Sequence, residues 1–285
     1  MNPYISQFGE EFDAEKSSQY RMAIQFALGG LSYALLDTQS QTLIALECYQ
    51  SDLLADSDDL FRTLERALEA KGLNNKLLHH LTCLIDNRFC TLVPEALFDE
   101  AEKATYLDFG FQRPEGYSIA TKPLAKASCV NVFAWPNALQ AKVSNKWKNA
   151  RVTHSSSVFV DGVMDSPTST GVFVQVRNRD FDMAMKRDGK LLFFNNFKFV
   201  TKEDFAYFLL FAMEQNGLSG QDTTVSFSGL IRPASDIIDL CGRYVKDIRF
   251  VDGPRKIKVS KALEEVPFQY YFTLYQILGH ETRDQ

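Results

Sequence analysis

The sequence predicts an α/β protein of two similar halves that face each other across a cleft. The segments that start at Leu31 and Phe181 each contain a strand, a tight turn, a second strand, a polar break and an amphipathic helix that ends at Gly-Leu. A further apolar strand follows each helix, LLHHLTCLID in the first half and TTVSFSGLI in the second. A repeat of about half the chain length indicates two similar domains rather than a solenoid. We therefore expect the functional site in the cleft between the two domains.

The composition is that of an ordinary globular protein and restricts the classes of partner. The 285 residues suffice for two domains of medium size, and a hydrophobic content of 45% suffices for a core in each. A formal net charge of −5 argues against a basic nucleic-acid surface, so we expect no nucleic-acid partner. We also expect no membrane span, because no apolar run is long enough to cross a bilayer.

The cysteines and the N-terminal segment favour a cytoplasmic location. The five cysteines are scattered and show no CxxC spacing, which indicates buried thiols in a reducing compartment and no zinc site. The polar and acidic N-terminal segment has none of the parts of a signal peptide, and it predicts a flexible arm or an added strand.

The first half begins with a predicted meander of three strands. Residues 21–28 alternate as a strand, Gly29-Gly30 permits a tight turn, and LSYALLD and TLIALECY follow as strands. Apolar residues at helical spacing predict a helix over residues 56–71, which Gly72 ends. In chain order, we then expect strands in LLHHLTCLID and FCTLVP, a helix over 94–105, strands in 117–135 with a turn near Lys122-Pro123, a helix over 136–148, and a strand or hairpin in RVTHSSSVFVDGVM.

The second half follows a short linker at residues 166–170 and repeats this plan. Asp188-Gly189 between alternating apolar runs is a strong hairpin signal. Thr201 with Asp204 three residues later predicts a capped helix that ends at Asn216-Gly217. The other expected elements are strands over 172–178, 180–187, 190–198, 225–229 and 248–251 and helices over 233–244 and 267–278. The predicted domains are therefore residues 1–168 and 169–285.

A three-stranded meander, a helix, a strand and a helix, occurring twice, resembles the ribonuclease H-like domain that is duplicated in the actin, sugar-kinase and Hsp70 ATPase superfamily. The chain is also similar to an uncharacterised bacterial family of that superfamily. The resemblance implies two tandem ribonuclease H-like domains in an actin-like ATPase arrangement with a central cleft. The ligands that it implies are ATP and Mg²⁺, although the residues themselves single out no cofactor.

The first loop of the superfamily, like Asp-Leu-Gly-Thr-Thr-x-Ser, corresponds to residues 26–32. Gly29, Gly30 and Ser32 offer a turn whose backbone N–H groups can approach phosphate. Gln25 and Phe26 stand where the superfamily has an acid that positions Mg²⁺ and water. We favour a simple Gly-Gly hairpin turn over a phosphate site.

The second loop, like Asp-Leu-Gly-Gly-Gly-Thr-Phe-Asp, corresponds to residues 175–182. Phe181-Asp182 matches the last two residues of this pattern, but Gln175 stands in place of its first aspartate. Arg177, Asn178 and Arg179 replace glycines that permit close approach of the backbone to phosphate. The two arginines remain candidates for contacting an anion with their side chains.

The third loop resembles the adenosine motif, like Val-Gly-Gly-Ser-Ser-Arg-Ile-Pro, in the stretch that contains Ser228, Gly229 and Arg232. One of the two glycines is kept, and a strand–glycine–helix turn is also common for packing alone. The candidate nucleotide-binding residues are therefore Gly29, Gly30, Ser32, Asp180, Asp182, Ser228, Gly229 and Arg232, and the candidate anion-binding residues are Arg177 and Arg179. We assign no catalytic residue and no metal ligand.

Three hypotheses for the function follow. The loss of acids at Gln25/Phe26 and Gln175 favours a degenerate, non-hydrolysing cytoplasmic protein that binds or scaffolds another protein, because phosphoryl transfer depends on metal-binding carboxylates. The alternative is an active ATPase or small-molecule kinase with relocated acids. The candidates on the two hairpins are Asp37, Asp180 and Asp182, of which Asp180 and Asp182 share one strand face. The third is a cleft that binds a different anion through its arginines. The sequence indicates no oligomeric state.

Overall fold

The computed structural model describes residues 2–27, 29–51, 56–74, 76, 78, 80–253 and 257–279. Its strands form sheets of seven, five and three strands, with helices packed against them, which confirms the predicted α/β class. No helix in these ranges is long and apolar enough to span a membrane.

The elements follow the predicted order closely. Those before the second repeat are β1 (Ile5–Phe8), β2 (Tyr20–Ala27), β3 (Gly30–Asp37), β4 (Thr42–Gln50), α1 (Ser57–Ala70), β5 (His80–Asp86), β6 (Cys90–Pro94), α2 (Lys103–Gly110), β7 (Tyr117–Leu124), β8 (Cys129–Pro136), α3 (Asn137–Lys146), β9 (Arg151–His154) and α4 (Ser155–Asp165). Those of the second repeat are β10 (Gly171–Val176), β11 (Asp180–Arg187), β12 (Lys190–Lys198), α5 (Lys202–Gln215), β13 (Val225–Gly229), α6 (Asp236–Cys241), β14 (Ile248–Phe250), β15 (Lys258–Val259) and α7 (Phe272–Gly279).

The two larger sheets share one strand order, so the repeat in the sequence is also a repeat in topology. The order is β4-β3-β2-β5-β9 in the first sheet and β12-β11-β10-β13-β14 in the second. In each, three antiparallel strands come first, and two strands parallel to the first strand of the meander follow. The carboxyl ends of β2 and β5 therefore meet at one edge, and those of β10 and β13 meet at another. Such edges are where α/β folds place their ligands.

Helix α1 packs on the first sheet and α5 packs on the second, as the spacing of their apolar residues predicts. The buried face of α1 consists of Leu60, Phe61, Leu64, Ala67 and Leu68, and that of α5 consists of Phe205, Ala206, Leu209, Ala212 and Met213. Thr201 and Asp204 form the predicted capping box at the start of α5. Both predicted helices are confirmed.

The last helix of each half crosses to the other half. Helix α4 contacts β11 of the second sheet, and α7 contacts β2 and β3 of the first sheet. The two helices also pack against each other, because Gly162 leaves room for Phe272, whose ring carbon would lie 2.8 Å from an added Cβ. Strand β15 pairs with β4, so the C-terminal segment returns to the first sheet. The boundary between residues 168 and 169 remains our proposal.

An antiparallel sheet of order β6-β8-β7 is inserted between β5 and β9. The turn predicted near Lys122-Pro123 is wrong, because β7 continues to Leu124 and the chain turns at residues 125–128, where Ser128 has φ of +50°. Pro123 is tolerated because β7 is an edge strand of this sheet, where a missing N–H breaks no ladder bond.

Three other predicted elements are wrong in type or extent. RVTHSSSVFVDGVM is not a hairpin: β9 ends at His154, whose ring accepts a hydrogen bond from the Ser156 N–H and so starts α4. The helix predicted over 94–105 begins only at Lys103, after two short 3₁₀ turns. The helix predicted over 233–244 is shortened to α6, because the Ser235 side chain caps it by accepting from Ile238 N.

Two remaining expectations are confirmed. The N-terminal segment forms an added strand, because β1 pairs antiparallel with β4. All five cysteines are free and buried, as their apolar surroundings predict.

Candidate functional site

One buried arginine joins the two halves of the molecule at the carboxyl ends of their central strands. Arg177 directly follows β10, and its side chain is only 11% exposed. Its Nη1 and Nη2 donate to Asp182 Oδ2 and Oδ1 at 2.8 and 2.7 Å, and its Nε donates to Asp180 Oδ1 at 2.5 Å. Its Nη1 also lies 3.5 Å from Oδ1 of Asp86, the last residue of β5. We call these four residues the arginine–carboxylate cluster.

The β10–β11 hairpin positions the second-half members of this cluster. The Arg177 N–H donates to the Asp180 carbonyl oxygen at 2.9 Å, which closes the turn. Asp180 and Asp182 are two apart on β11 and therefore lie on one face of the sheet. Asn196 faces Asp182 across the β11–β12 pair, and its Nδ2 donates to Asp182 Oδ1 at 2.9 Å.

The first-half member, Asp86, has hydrogen-bond donors on both carboxylate oxygens. Gln25 Nε2 from β2 donates to Oδ2 at 2.7 Å, and Ser155 Oγ from the start of α4 donates to Oδ1 at 2.6 Å. Gln25 is one of the residues that stand in place of the superfamily acid. Its amide therefore serves to hold a carboxylate that comes from the neighbouring strand.

The pKa directions show which members of the cluster keep their charge. Burial alone raises the pKa of Asp182, but the charge and hydrogen bonds of Arg177 outweigh it and hold that pKa below its usual value. Burial also disfavours the charged Arg177, yet its carboxylate partners raise its pKa well above the ordinary value. For Asp86 burial dominates and raises the pKa, despite Arg177 and Ser155. Arg177 and Asp182 thus stay charged as an ion pair when the pH falls. Asp86 takes up a proton at a higher pH than Asp182 does.

A second buried network lies beside Asp86 and consists of His154, Asn87, Asn131, Ser156 and Ser157. His154 Nδ1 accepts from Ser156 N at 3.2 Å, which places the ring proton on Nε2, 3.2 Å from Asn87 Oδ1. Asn131 Nδ2 donates to Ser156 Oγ at 2.9 Å and Ser157 Oγ at 2.7 Å. His154, Asn131, Ser156 and Ser157 are buried and Asn87 is partly buried, and their hydrogen bonds hold the start of α4.

We expect the His154 imidazole to remain neutral between about pH 5 and 8. Burial, the largest cause, lowers its pKa to about 3. The unfolded state binds a proton near pH 6.5, so stability is lost as the pH falls from about 6.5 towards 3. Ring ¹⁵N chemical shifts measured against pH test this, with the other three histidines as the comparison in the same spectra. A His154 titration near pH 6.5 would contradict the buried, neutral state.

The predicted glycines of the first loop lie beside the cluster. Gly29 adopts φ of +74° in the β2–β3 turn, and Ala27, two residues earlier, pairs with Gly30 on one side and with Asp86 on the other. Ser32 sits on β3, opposite Gln25, and its side chain hydrogen-bonds to Cys48. The Gly29-Gly30 turn therefore reaches the strand end that carries Asp86.

The predicted residues of the third loop have structural partners. Gly229 has φ of +84°, and a Cβ there would lie 2.0 Å from the Val176 carbonyl oxygen, so the close approach of β10 and β13 requires a glycine. Ser228 Oγ donates to Val174 O at 3.2 Å and also hydrogen-bonds to Gln175. Arg232 Nε donates to the Tyr270 hydroxyl at 3.0 Å. Among the described residues, Arg179 and Arg232 form no ion pair with the cluster carboxylates.

Sequence reasoning missed Asp86 and Asn196 as members of the site. Asp86 ends the strand in LLHHLTCLID, and functional groups gather at the carboxyl ends of parallel strands, so its position was a usable signal. Asn196 carries no such signal, because only the pairing of β12 with β11 brings it to Asp182.

The carboxylates of the cluster do not fit the Mg²⁺ that the resemblance implies. Both Asp182 oxygens accept from Arg177, and both Asp86 oxygens accept from Gln25 or Ser155. In the described ranges no three His, Cys, Asp or Glu side chains are grouped to hold a metal ion. A divalent cation at Asp182 would have to displace the Arg177 guanidinium, which carries like charge.

Comparison with known proteins shows the fold. A protein of actin-like ATPase fold and unknown function from Bacteroides thetaiotaomicron VPI-5482 is similar with a TM-score of 0.79 and 16% identity, over 95% of this chain and 99% of that chain. A PilM–PilN type IV pilus biogenesis complex is similar with a TM-score of 0.61 and 12% identity, over 92% of this chain and 98% of that chain. The sequence profile of a family described as "Protein of unknown function (DUF3822)" matches residues 9–248. No curated protein matches in sequence. The protein has an actin-like ATPase fold.

Proposed function

The chain belongs to the family described as "Protein of unknown function (DUF3822)", and we propose that it is a non-hydrolysing protein that binds or scaffolds another protein. The observation that carries this proposal is the arginine–carboxylate cluster, in which Arg177 takes the carboxylates of Asp180 and Asp182. The superfamily that the chain resembles would use this loop for nucleotide, and here the Arg177 guanidinium lies against the two carboxylates instead.

Phosphoryl transfer needs a metal ion to neutralise the charge that develops on the phosphate oxygens. Carboxylates that hold such an ion must have oxygens free to ligate it. The Arg177–Asp182 pair is buried and bidentate, and breaking a buried ion pair by removing one partner costs about 3–5 kcal/mol. Binding of Mg²⁺ and ATP would have to compensate for the loss of this ion pair before phosphoryl transfer could occur. The cluster therefore favours a structural role for these acids.

Two observations support a protein as the partner and the cytoplasm as the location. One structural neighbour is described as a complex of two proteins, PilM and PilN. The five cysteines are free thiols, as expected in a reducing compartment. An ATPase or small-molecule kinase, the alternative function, would require Arg177 to release Asp182 in the working state.

Thermal unfolding with and without ATP plus Mg²⁺ tests the proposal. A ligand at about one hundred times its Kd adds about 2.7 kcal/mol of stability, which is visible as a rise in Tm. We expect no rise at millimolar ATP beyond that of AMP or of Mg²⁺ alone. Phosphate release from ATP that depends on Mg²⁺ and disappears in Asp182→Asn would overturn the proposal in favour of the ATPase or kinase.

A further inference from the structure

A groove separate from the arginine–carboxylate cluster lies where the N-terminal strand, the β13–α6 loop and the segment before α7 meet. The groove has a volume of about 630 Å³. It is lined by residues 4–5, 232–234, 267, 269 and 270. We call it the Arg232 groove. Its walls are mostly apolar, with Tyr4, Pro233, Pro267 and Tyr270 around the Arg232 side chain.

Backbone hydrogen bonds hold each wall of the groove in place. Tyr4 N donates to Cys48 O at 2.7 Å, which extends the β1–β4 pairing up to the rim. In the β13–α6 loop, Ser235 N donates to Arg232 O at 3.0 Å. In the segment before α7, Tyr270 N donates to Pro267 O at 3.1 Å. The groove is therefore formed before any ligand arrives, which lowers the entropic cost of binding.

Arg232 supplies the positive charge of the groove and several of its hydrogen-bond donors. Arg232 Nε donates to the Tyr270 hydroxyl oxygen, so the hydroxyl proton of Tyr270 remains available for another acceptor. The Tyr4 side chain also hydrogen-bonds to Arg232, and the other guanidinium N–H groups remain. Within the described residues Arg232 has no carboxylate in ion-pair range, whereas the exposed Arg243 and Arg249 pair with Asp239 and Asp247. The groove thus suits a ligand that supplies a carboxylate and other acceptors.

The shape of the walls favours an extended chain that needs no strand pairing. Pro233 and Pro267 have no N–H group, so these walls cannot complete a β-ladder with a ligand. Polyproline II segments carry no internal hydrogen bonds, and they dock on aromatic side chains in preformed grooves. Tyr4, whose surface is 61% exposed, and Tyr270 supply such side chains.

We propose that the Arg232 groove binds an extended, proline-containing segment of a partner protein, with an acidic side chain of that segment paired to Arg232. This inference rests on the proposed binding function and names its partner chemistry. The tyrosine rings pack on the prolines, and the Tyr270 hydroxyl donates to a carbonyl oxygen of the segment. Charge complementarity selects the acidic residue, because Arg232 is exposed and has no carboxylate in ion-pair range among the described residues.

The test is a selection from a library of random displayed peptides of about 12 residues, a length that spans a groove of this kind. The full chain is used as wild type, as Arg232→Gln and as the control Arg243→Gln, which removes a second exposed arginine of the same repeat. We expect wild type and Arg243→Gln to enrich peptides that contain proline together with Asp or Glu. Synthetic peptides from this set should bind Arg232→Gln at least about tenfold more weakly and lose affinity with added salt.

Enriched peptides without acidic residues, equal binding to Arg232→Gln, or no enrichment would each overturn the inference. Arg232 is exposed, and an unchanged Tm for Arg232→Gln shows that the variant is folded. Peptides that bind wild type and Arg232→Gln equally would leave the proposed binding function in place but move it to another surface. ATP hydrolysis that is lost in Asp182→Asn overturns the proposed function itself, whatever the selection returns.

Discussion

Replacing Arg177 by methionine should lower the free energy of unfolding by about 3–5 kcal/mol, since it leaves buried carboxylates without their cation. Asp182 is fully buried and accepts two of the hydrogen bonds of Arg177. Without the guanidinium, Asp182 must either stay charged in an apolar interior or take up a proton, and both cost free energy. Urea unfolding of wild type and variant measures the difference.

The matched control is Arg179→Met, two residues away in the same turn. Arg179 is exposed and, in the described structure, has no ion pair with the cluster carboxylates, so its replacement should change the unfolding free energy by less than about 0.5 kcal/mol. Equal effects of the two substitutions would mean that the arginine–carboxylate cluster does not stabilise the protein. A large loss in Arg177→Met alone would show that the stability provided by the cluster depends on this one side chain.

Replacing Gly229 by alanine should destabilise the protein by more than about 4 kcal/mol, which is an exceptional effect for adding one methyl group. The backbone there has φ of +84°, and the new Cβ would lie 2.0 Å from Val176 O and 2.8 Å from Val176 N. Because these are backbone atoms of a neighbouring central strand, the collision can be relieved only by moving β10 or β13. Thermal or urea unfolding measures the loss.

Gly189→Ala separates the collision from the backbone strain. Gly189 has a similar φ of +76°, but an added Cβ would meet no atom within 4 Å. Its replacement should therefore lower the free energy of unfolding by only about 1–2 kcal/mol, the cost of holding alanine in the left-handed conformation. If Gly229→Ala cost no more than Gly189→Ala, the close packing of β10 and β13 would not be the reason for the glycine. The loop that resembles an adenosine motif would then need another explanation.

Local signals in the sequence predicted most of the elements correctly. The capping box at Thr201 and Asp204, the Asp188-Gly189 turn and the apolar face of α1 all depend on residues a few positions apart. The error at α4 also has a local cause. Ser155, Ser156 and Ser157 have low helix propensity, and the cap that starts the helix is a histidine, which is not a usual cap residue.

Only part of the candidate site could be predicted from the sequence. Asp180, Asp182 and Arg177 lie within six consecutive residues, and the resemblance to the second loop pointed to them. The sequence predicted them as nucleotide ligands or anion contacts. The structure shows that they contact one another, because the turn between β10 and β11 folds the arginine back onto the acids of its own hairpin.

The repeat, the succession of strands and helices along the chain and the α/β class could be predicted from the sequence, because they follow from apolar periodicity and turn residues. The carboxylates that Arg177 contacts cannot be read from the chain order, because they depend on how the two sheets pack together. Asp86 is 91 residues from Arg177 in the chain, and Gln25 is 61 residues from Asp86. The physical reason is that a buried charge is stable only beside its counter-charge, and which residues meet there depends on how the two sheets are brought together.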